Sequence, residues 1–600
     1  MRNLVTVNDV HQQFAEYFDI PALKPYAYLL SKKGSEGHIC LHLSKLEQEW
    51  HTLPEAYRKI ETGNVELRNL PVVGSEEDNN QPFVVYQDRL YMQRYFRYES
   101  NFLNKIRLFL DAEKAVLNDR ITQLQEQKAL IQRLFSSSNK YIDWQLAAAI
   151  TGVLNNFTII TGGPGTGKTT TVAKLLALLY ATEPNLKVAL AAPTGKAAAR
   201  MAESLRNTNI ESDESTQAAF QRLQPSTIHR LLGSLPDTHR FKHNQLNPLI
   251  YDVIIIDESS MIDVALFAKL LDAVPPTTRL ILLGDKDQLA AVEAGSLFGD
   301  LCQAQDELNL FSPERSQFIN NFIPVAEQQI PASMVKSDAH PLFEHLIELR
   351  HSHRFSGDQG IGKFSKAIIT NNEAAIRSFF HSNADDQIII DPEYNTDLFE
   401  KFVSRYTDFI QEKDISKALL LLNAQRVLTA IREGAHGLYT INKQIEKYLH
   451  EKQLINANAE FYNNRPIILT RNYYEHGLFN GDTGIIRLDE NNTLMAWFID
   501  STGNLKSVLP GYLTQAETAF AMTVHKSQGS EFGEVMIILP DTPEIPILTR
   551  ELIYTAVSRA KQKVYIQGSP EIILSAAGKF VERASGIGSR FKESVANQLI

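Results

Sequence analysis

The sequence predicts an α/β protein: two parallel-sheet units in succession, a small β unit inserted in the second, and a small mixed domain ahead of both. Three observations predict this. From residue 144 to residue 299, short apolar runs alternate with polar or glycine-containing loops and helical stretches. The same pattern returns from about residue 345 to the end. Within that second region, residues 465–508 are rich in β-formers and hold a Gly481-Asp482-Thr483-Gly484 turn, which reads as an inserted β unit.

Residues 1–110 form the first expected domain. They carry mixed strand and helix patterning and the aromatics Tyr26, Tyr28, Tyr91, Tyr95 and Phe96, which serve either as core or as interface anchors. Residues 111–135 read as one amphipathic helix with Val116, Ile121, Leu124, Leu130, Ile131 and Leu134 on its buried face. Ser136-Ser137-Ser138-Asn139 breaks it. The first sheet unit spans 111–345. Thr158-Ile159-Ile160, Val188-Ala189-Leu190, Val253-Ile254-Ile255-Ile256 and Leu280-Ile281-Leu282-Leu283 are its strands, apolar enough to be buried on both faces. Two polar stretches, 207–224 and 314–339, read as surface insertions. The second unit spans 346–600, with 418–422 and 535–539 as strands and the inserted β unit at about 460–512.

Composition narrows the function. The chain of 600 residues is 44% hydrophobic and 22% charged, ordinary for a globular protein. Its two cysteines, Cys40 and Cys302, make neither a metal cluster nor a disulfide framework, which points to a reducing cytoplasm. No apolar stretch approaches the roughly 20 residues of a membrane helix, so no membrane partner is expected. Asp9, Glu16 and Asp19 argue against a signal peptide. A net charge of −10 counts against coating nucleic acid over the whole surface, but leaves room for a narrow basic channel.

The strongest motif is Gly162-Gly163-Pro164-Gly165-Thr166-Gly167-Lys168-Thr169, placed between a predicted strand and a predicted helix. Glycines let successive backbone N–H groups turn inward around phosphate oxygens. Lys168 reaches the β- and γ-phosphates of ATP, Thr169 is a Mg²⁺ ligand, and Thr170 continues the binding turn. Asp257-Glu258 ends an apolar strand. Alone that is often only a strand end; beside a phosphate loop, Asp257 suits Mg²⁺ and Glu258 suits activation of the attacking water. Gln145 either reads adenine or is an exposed residue in a helix capped by Asp143. Gln288, in Gly284-Asp285-Lys286-Asp287-Gln288-Leu289, is placed to sense the γ-phosphate or the water. Arg354 and Arg559 either aim at the transferring phosphoryl group or are surface ion-pair residues.

The order of these motifs resembles superfamily 1 helicases, in the RecD-like branch, superfamily 1B. Ala192-Pro193-Thr194-Gly195-Lys196-Ala197-Ala198-Ala199-Arg200, Ser226-Thr227-Ile228-His229-Arg230-Leu231-Leu232-Gly233, Thr523-Val524-His525-Lys526-Ser527-Gln528-Gly529-Ser530-Glu531-Phe532 and Tyr554-Thr555-Ala556-Val557-Ser558-Arg559-Ala560 complete the set. The match runs over residues 143–565. It implies two RecA-like motors, an SH3-like barrel as the inserted unit, and ATP with Mg²⁺. It also implies 5′→3′ movement on single-stranded DNA. Thr194, Thr227, His229, Thr523 and His525 would touch that strand, or else be capping and core residues. Residues 234–250 would be the small hairpin that meets the duplex, or else an idle loop.

Gly37-His38-Ile39-Cys40-Leu41-His42-Leu43-Ser44-Lys45-Leu46 resembles the N-terminal domain of the RecD subunits of exodeoxyribonuclease V. The implied setting is a complex with RecB-like and RecC-like subunits acting on duplex ends in double-strand-break repair, with residues 1–110 docking on the RecC-like partner. The alternative is a stand-alone helicase of the same branch, whose members carry a longer N-terminal region with helix-hairpin-helix motifs. A nuclease centre is not expected: the sequence holds no convincing Asp…Glu-x-Lys metal site, and the resemblance implies that this activity belongs to the RecB-like subunit.

Overall fold

The computed structural model describes residues 9–596, apart from 61–65, 76–79, 137–139, 208–213, 236–237, 306, 338–339, 356–358, 382–384, 501–502 and 582. Much of the expected break at 136–139, and part of the expected insertion at 207–224, lie outside the described residues.

The N-terminal domain is a four-stranded sheet with helices on it. Its strands are β1 (Cys40–His42), β2 (Val73–Gly74), β3 (Phe83–Tyr86) and β4 (Arg89–Met92), in the order β1-β4-β3-β2. Tyr26, Tyr28 and Tyr91 are buried in this domain, and Phe96 packs beside Tyr91 from the following helix, so these four serve the core.

The next helix, Gln93–Lys114, belongs with the first large sheet by its packing. Phe102, Ile106 and Phe109 fall on one face and are buried against Phe267 and Phe157, with ring centroids 5.7 Å (Phe102–Phe267) and 6.1 Å (Phe109–Phe157) apart. The expected boundary at 110/111 therefore falls inside a helix. The single helix expected over 111–135 is instead the end of this one followed by Leu117–Glu126 and Lys128–Leu134. Leu124, Ile131 and Leu134 are buried as expected.

The first large sheet has β5 (Phe157–Gly162), β6 (Val188–Ala192), β7 (Ser226–Thr227), β8 (Val253–Ile256), β9 (Arg279–Gly284) and β10 (Leu346–Leu349). All six run parallel in the order β10-β5-β9-β8-β6-β7. Alternation sends Ile160, Ile255, Ile281 and Leu283 into one core and Ile159, Ile254, Ile256 and Leu282 into the other. That is why these strands read as continuous apolar runs. β10 pairs with β5, so this sheet extends past residue 345. Residues 314–339 are not a mere surface insertion: Ile319, Phe322, Ile323 and Ile330 enter the first core.

The second unit begins with β11 (Ile388–Asp391) and β12 (Gln425–Thr429). Residues 418–422, expected as a strand, are the end of a helix, Ile415–Leu422. Asp414 caps it by accepting the Lys417 N–H at 2.8 Å. Ala418, Leu419 and Leu422 are buried while Leu420 is 66% exposed, a helical spacing. The inserted unit follows: β13 (Arg465–Leu469), β14 (Thr483–Leu488), β15 (Leu494–Ile499), β16 (Leu505–Val508) and β17 (Ala516–Thr518). It is an antiparallel sheet of order β16-β15-β14-β13-β17 around Ile467, Leu469, Ile486 and Phe498. The chain then returns through β18 (Ala521–Thr523), β19 (Phe532–Ile538) and β20 (Ala560–Gln567), giving a parallel sheet β11-β20-β19-β12-β18. No helix among the described residues is long and apolar enough to cross a membrane.

Candidate active site

β5 is buried along its whole length and ends in the glycine-rich loop. Gly165 and Gly167 have φ of +74° and +83°, in the left-handed region that favours glycine. A Cβ at Gly165 would stand 2.3 Å from the Arg354 Cβ, and one at Gly167 2.3 Å from Gln145 Nε2. Gly165 therefore needs glycine for conformation and for space, while at Gly167 the conformation decides, because the crowding atom ends a flexible side chain. The helix Lys168–Thr182 starts directly after, so its N-terminal N–H groups face the loop. Lys168 Nζ donates to Gly162 O at 2.6 Å and Gly163 O at 3.2 Å, folding the ammonium into the loop.

Two neighbouring strands deliver the remaining groups of this motor. Past β8, the Asp257 Oδ1 accepts the Glu258 N–H at 2.8 Å. Burial, and then the Glu258 carboxylate, push the Asp257 carboxyl up, with Lys168 pulling the other way. Glu258 sits at φ +52°, an uncommon backbone state for a non-glycine residue at a strand end. Past β9, Asp285 Oδ2 accepts from Gln288 Nε2 at 2.9 Å, while Gln288 Oε1 is buried with no hydrogen-bond partner among the described residues.

The second sheet unit closes the cleft. Tyr554 donates to the same Asp285 Oδ2 at 2.9 Å, Leu289 N–H donates to Thr555 Oγ1 at 2.9 Å, and Gln528 Nε2 donates to Leu289 O at 2.7 Å. One cleft is thereby lined by Pro164 through Thr170, Asp257, Glu258, Gln288, Arg354 and Arg559. Gly162, at the end of β5, and Gly163 accept from Lys168 just behind this lining. Gln145 lies on the other side of Gly167, in an adjoining pocket. Arg559 is only 3% exposed and is held by Thr555 O, Ser530 O and Ser558 Oγ. Arg354 pairs with Glu531, its Nη1 2.7 Å from Oε1. Arg559 is therefore no surface ion-pair residue, while Arg354 does carry an ion pair, at the lining of the cleft.

Sequence reasoning assigned no role to Glu531 or Arg200, although both lie in the quoted motifs. Glu531 carries three cations: Arg200, Arg354 and Lys561. Burial would raise its carboxyl, but Arg200, Arg354 and Lys561 outweigh it and hold it at about 2. A folded pKa below the unfolded value gives stability that is present above the unfolded pKa and lost as pH falls towards the folded one. Glu531→Gln should therefore lower Tm equally at about pH 6 and about pH 8. A loss that changed markedly between those two would contradict this cluster.

The five residues expected to touch DNA divide by chemistry. Thr194, Thr227 and Thr523 cap turns: their Oγ1 atoms accept from Ala197 N (3.2 Å), Arg230 N (3.2 Å) and Lys526 N (3.3 Å). The expected hairpin at 234–250 has isolated antiparallel bridges Ser234–Phe241 and Asn244–Asn247, and Phe241 meets His229 edge-on at 5.7 Å. Desolvation lowers the pKa of His525, which is half-buried, and of His229, whose ring is partly screened by its neighbours, so both shifts favour the neutral ring. Thr194 and the second motor approach each other: a Cβ at Gly529 would lie 3.7 Å from Thr194 Oγ1.

Comparison with known proteins fits this arrangement. Residues 145–294 match an AAA domain, 518–567 a UvrD-like helicase C-terminal domain, and 9–91 the N-terminal domain of the RecBCD enzyme subunit RecD. The RecBCD enzyme subunit RecD of Mycolicibacterium smegmatis is 34% identical over 551 residues, 88% of this chain and 89% of that one. The chain belongs to the RecD family. The RecD subunit of Mycobacterium tuberculosis H37Rv agrees, at 35% identity over 85% of this chain and 81% of its own. The ATP-dependent RecD2 DNA helicase of Deinococcus radiodurans is 28% identical over 90% of this chain but only 64% of its own length. As a RecD-family protein the chain is an ATP-dependent helicase, with both halves of the ATPase present.

Proposed function

We propose that this chain is the 5′→3′ DNA helicase subunit of an exodeoxyribonuclease V-type complex, hydrolysing ATP in the cleft between its two motors. The observation that carries the reading is the composition of that cleft: Lys168, Asp257, Glu258 and Gln288 come from one motor, and Arg354 and Arg559 lie where the other closes on it. A group bound there is held by both lobes, so binding and hydrolysis open and shut the cleft.

The roles follow from chemistry. Lys168 and the loop N–H groups, Gly162 through Thr170, hold phosphate oxygens. Glu258 orients and deprotonates the attacking water, with Gln288 beside it. Arg354 and Arg559 meet the charge that spreads over the γ-phosphoryl group. The donor set also fits Mg²⁺: Thr169 offers a hydroxyl at the helix start, and Asp257 is a half-buried carboxylate beside a second carboxylate, which a cation would relieve. When bound, the ion would neutralise phosphate charge.

The DNA track would run past Thr194, Thr227 and His229 on one motor and Thr523 and His525 on the other. Capping fixes the threonine oxygens as acceptors while leaving each hydroxyl proton for a phosphate. The neutral imidazoles suit bases better than phosphates. The inserted sheet is read as the SH3-like unit, and 234–250 as the hairpin at the fork. Polarity tests the assignment: a duplex with a 5′ single-stranded tail should be unwound, and one with a 3′ tail should not. A clear 3′ preference would reassign the motor to the opposite branch.

The units proposed are the N-terminal domain to Met92, the first motor from Gln93 through β10, and the second from there to the end. We place the protein in the cytoplasm with RecB-like and RecC-like partners, the N-terminal domain docking on the RecC-like one. Cutting at residue 110 would strip Phe102, Ile106 and Phe109 from the first motor, so the informative truncation removes only residues 1–92. Residues 38–39 also hydrogen-bond Ala584, so the truncated chain must first be shown to fold. It should then keep DNA-stimulated ATPase and fail to co-purify with the partners. Retained assembly would move the docking surface to the motors.

A further inference from the structure

Across Gly167 from the phosphate cleft lies a second pocket, walled by Asp143, Trp144, Gln145, His351 and His353. Two separate segments build it. Residues 141–145 precede β5, and residues 350–353 leave the end of β10 towards the second motor. The segments grip each other: Tyr141 and His351 stack at 4.2 Å with 23° between their planes, and the Arg350 guanidinium lies 5.7 Å from the Trp144 ring centroid.

The Gln145 amide is held in one orientation. Its Nε2 donates to Thr166 O at 3.2 Å and lies 3.3 Å from His353 Nε2. An amide nitrogen has two hydrogens, and Thr166 O takes one. For the other, His353 Nε2 must accept, which requires a neutral ring with its proton on Nδ1. Partial desolvation of this otherwise exposed ring, then His351 and Lys174, lower the His353 pKa and so favour that neutral ring. With both hydrogens engaged, Gln145 has only Oε1 left to offer. A lone acceptor pairs with an exocyclic amine and repels a carbonyl oxygen.

The same short segment reaches the other end of the nucleotide site. His353 N–H donates to Gly165 O at 2.8 Å, and Ser352 Oγ donates to Pro164 O at 3.0 Å while accepting from Arg354 N–H at 3.3 Å. His353 and Arg354 are thus adjacent residues on a segment clamped to the phosphate loop.

We propose that His353 is a positioning residue that fixes the Gln145 amide, so that the pocket accepts a 6-aminopurine nucleotide and rejects a 6-oxopurine one, and that the reading is passed to Arg354 along the shared segment. This rests on the cleft being the ATP site. A base that does not pair with Gln145 shifts the segment and with it Arg354, so discrimination falls on kcat as well as on KM.

The test is steady-state DNA-stimulated hydrolysis by the full chain, with ATP and inosine triphosphate as substrates. The wild type should prefer ATP by at least ~10-fold in kcat/KM, with part of the loss in kcat, as expected when a buried polar group is left mispaired. His353→Ala should lower the ratio several-fold, because Thr166 O still holds one amide hydrogen but the second is then free to meet a carbonyl oxygen. His353→Gln, which keeps an acceptor, should restore it. A wild type that uses both nucleotides equally well overturns the proposal without any variant being needed, and so does a His353→Ala enzyme with an unchanged ratio. Lys168→Ala, run alongside, separates the two readings. If it still turns over nucleotide, the cleft assignment itself fails; if it is inactive and the wild type is indiscriminate, only the role of His353 fails.

Discussion

Lys168→Ala should reduce ATP turnover by about 10²–10³-fold or more, because it removes a charge aimed at the phosphates in the transition state. The structure adds a reason to expect an intact fold. Among the described residues the Lys168 ammonium bonds the carbonyls of Gly162 and Gly163, at a loop that lines an open cleft. Its loss empties no core: the helix Lys168–Thr182 is anchored by Val172, Leu175, Leu176 and Leu179, all buried. Circular dichroism and Tm should stay near wild type while ATPase and unwinding disappear together. Near-normal turnover in a folded Lys168→Ala protein would sink the assignment of this cleft.

Arg559→Ala should bind ATP almost normally and hydrolyse it at least ~10²-fold more slowly, since an arginine finger acts mainly in the transition state. The structure places this arginine at 3% exposure, in the cleft and on the second motor, with its guanidinium oriented by Thr555 O, Ser530 O and Ser558 Oγ. Those bonds spare it the entropy of being ordered when ATP arrives. They also mean that alanine leaves buried acceptors unpaired, so some loss of stability is expected alongside the kinetic effect. Single-turnover hydrolysis with pre-bound ATP separates the two: the chemical step should slow, and nucleotide affinity should not. A collapse in affinity with normal turnover of what binds would make Arg559 a ground-state anchor.

Much of the site was legible because its chemistry is contiguous. A phosphate loop needs glycines, a lysine and a threonine within eight positions, and strand–loop–helix context is itself a local pattern. Asp257-Glu258 was legible for the same reason, as a strand end next to that loop. The three-helix break over 93–134 and the helix at 415–422 were not. A run such as Ala418-Leu419-Leu420-Leu421-Leu422 is apolar throughout, so period two and period 3.6 fit it equally. Only the packing, which buries Leu419 and Leu422 and leaves Leu420 exposed, distinguishes them.

By itself the sequence pointed to the α/β class, to two successive parallel-sheet units, to a candidate set from Lys168 to Arg559 that lines one cleft, and to the family resemblance. Each rests on short-range order along the chain. The tertiary structure alone decided which side chains share a cleft across the motors. Glu531 meets Arg200 and Arg354 across more than a hundred intervening residues, Tyr554 and Gln288 share Asp285, and His353 holds Gln145. It also decided that Gln93–Lys114 packs with the first motor and that β10 extends its sheet. These pairings join residues far apart in sequence through the packing of two sheets. The energy that selects them is burial and ion pairing between surfaces that exist only once both units have folded.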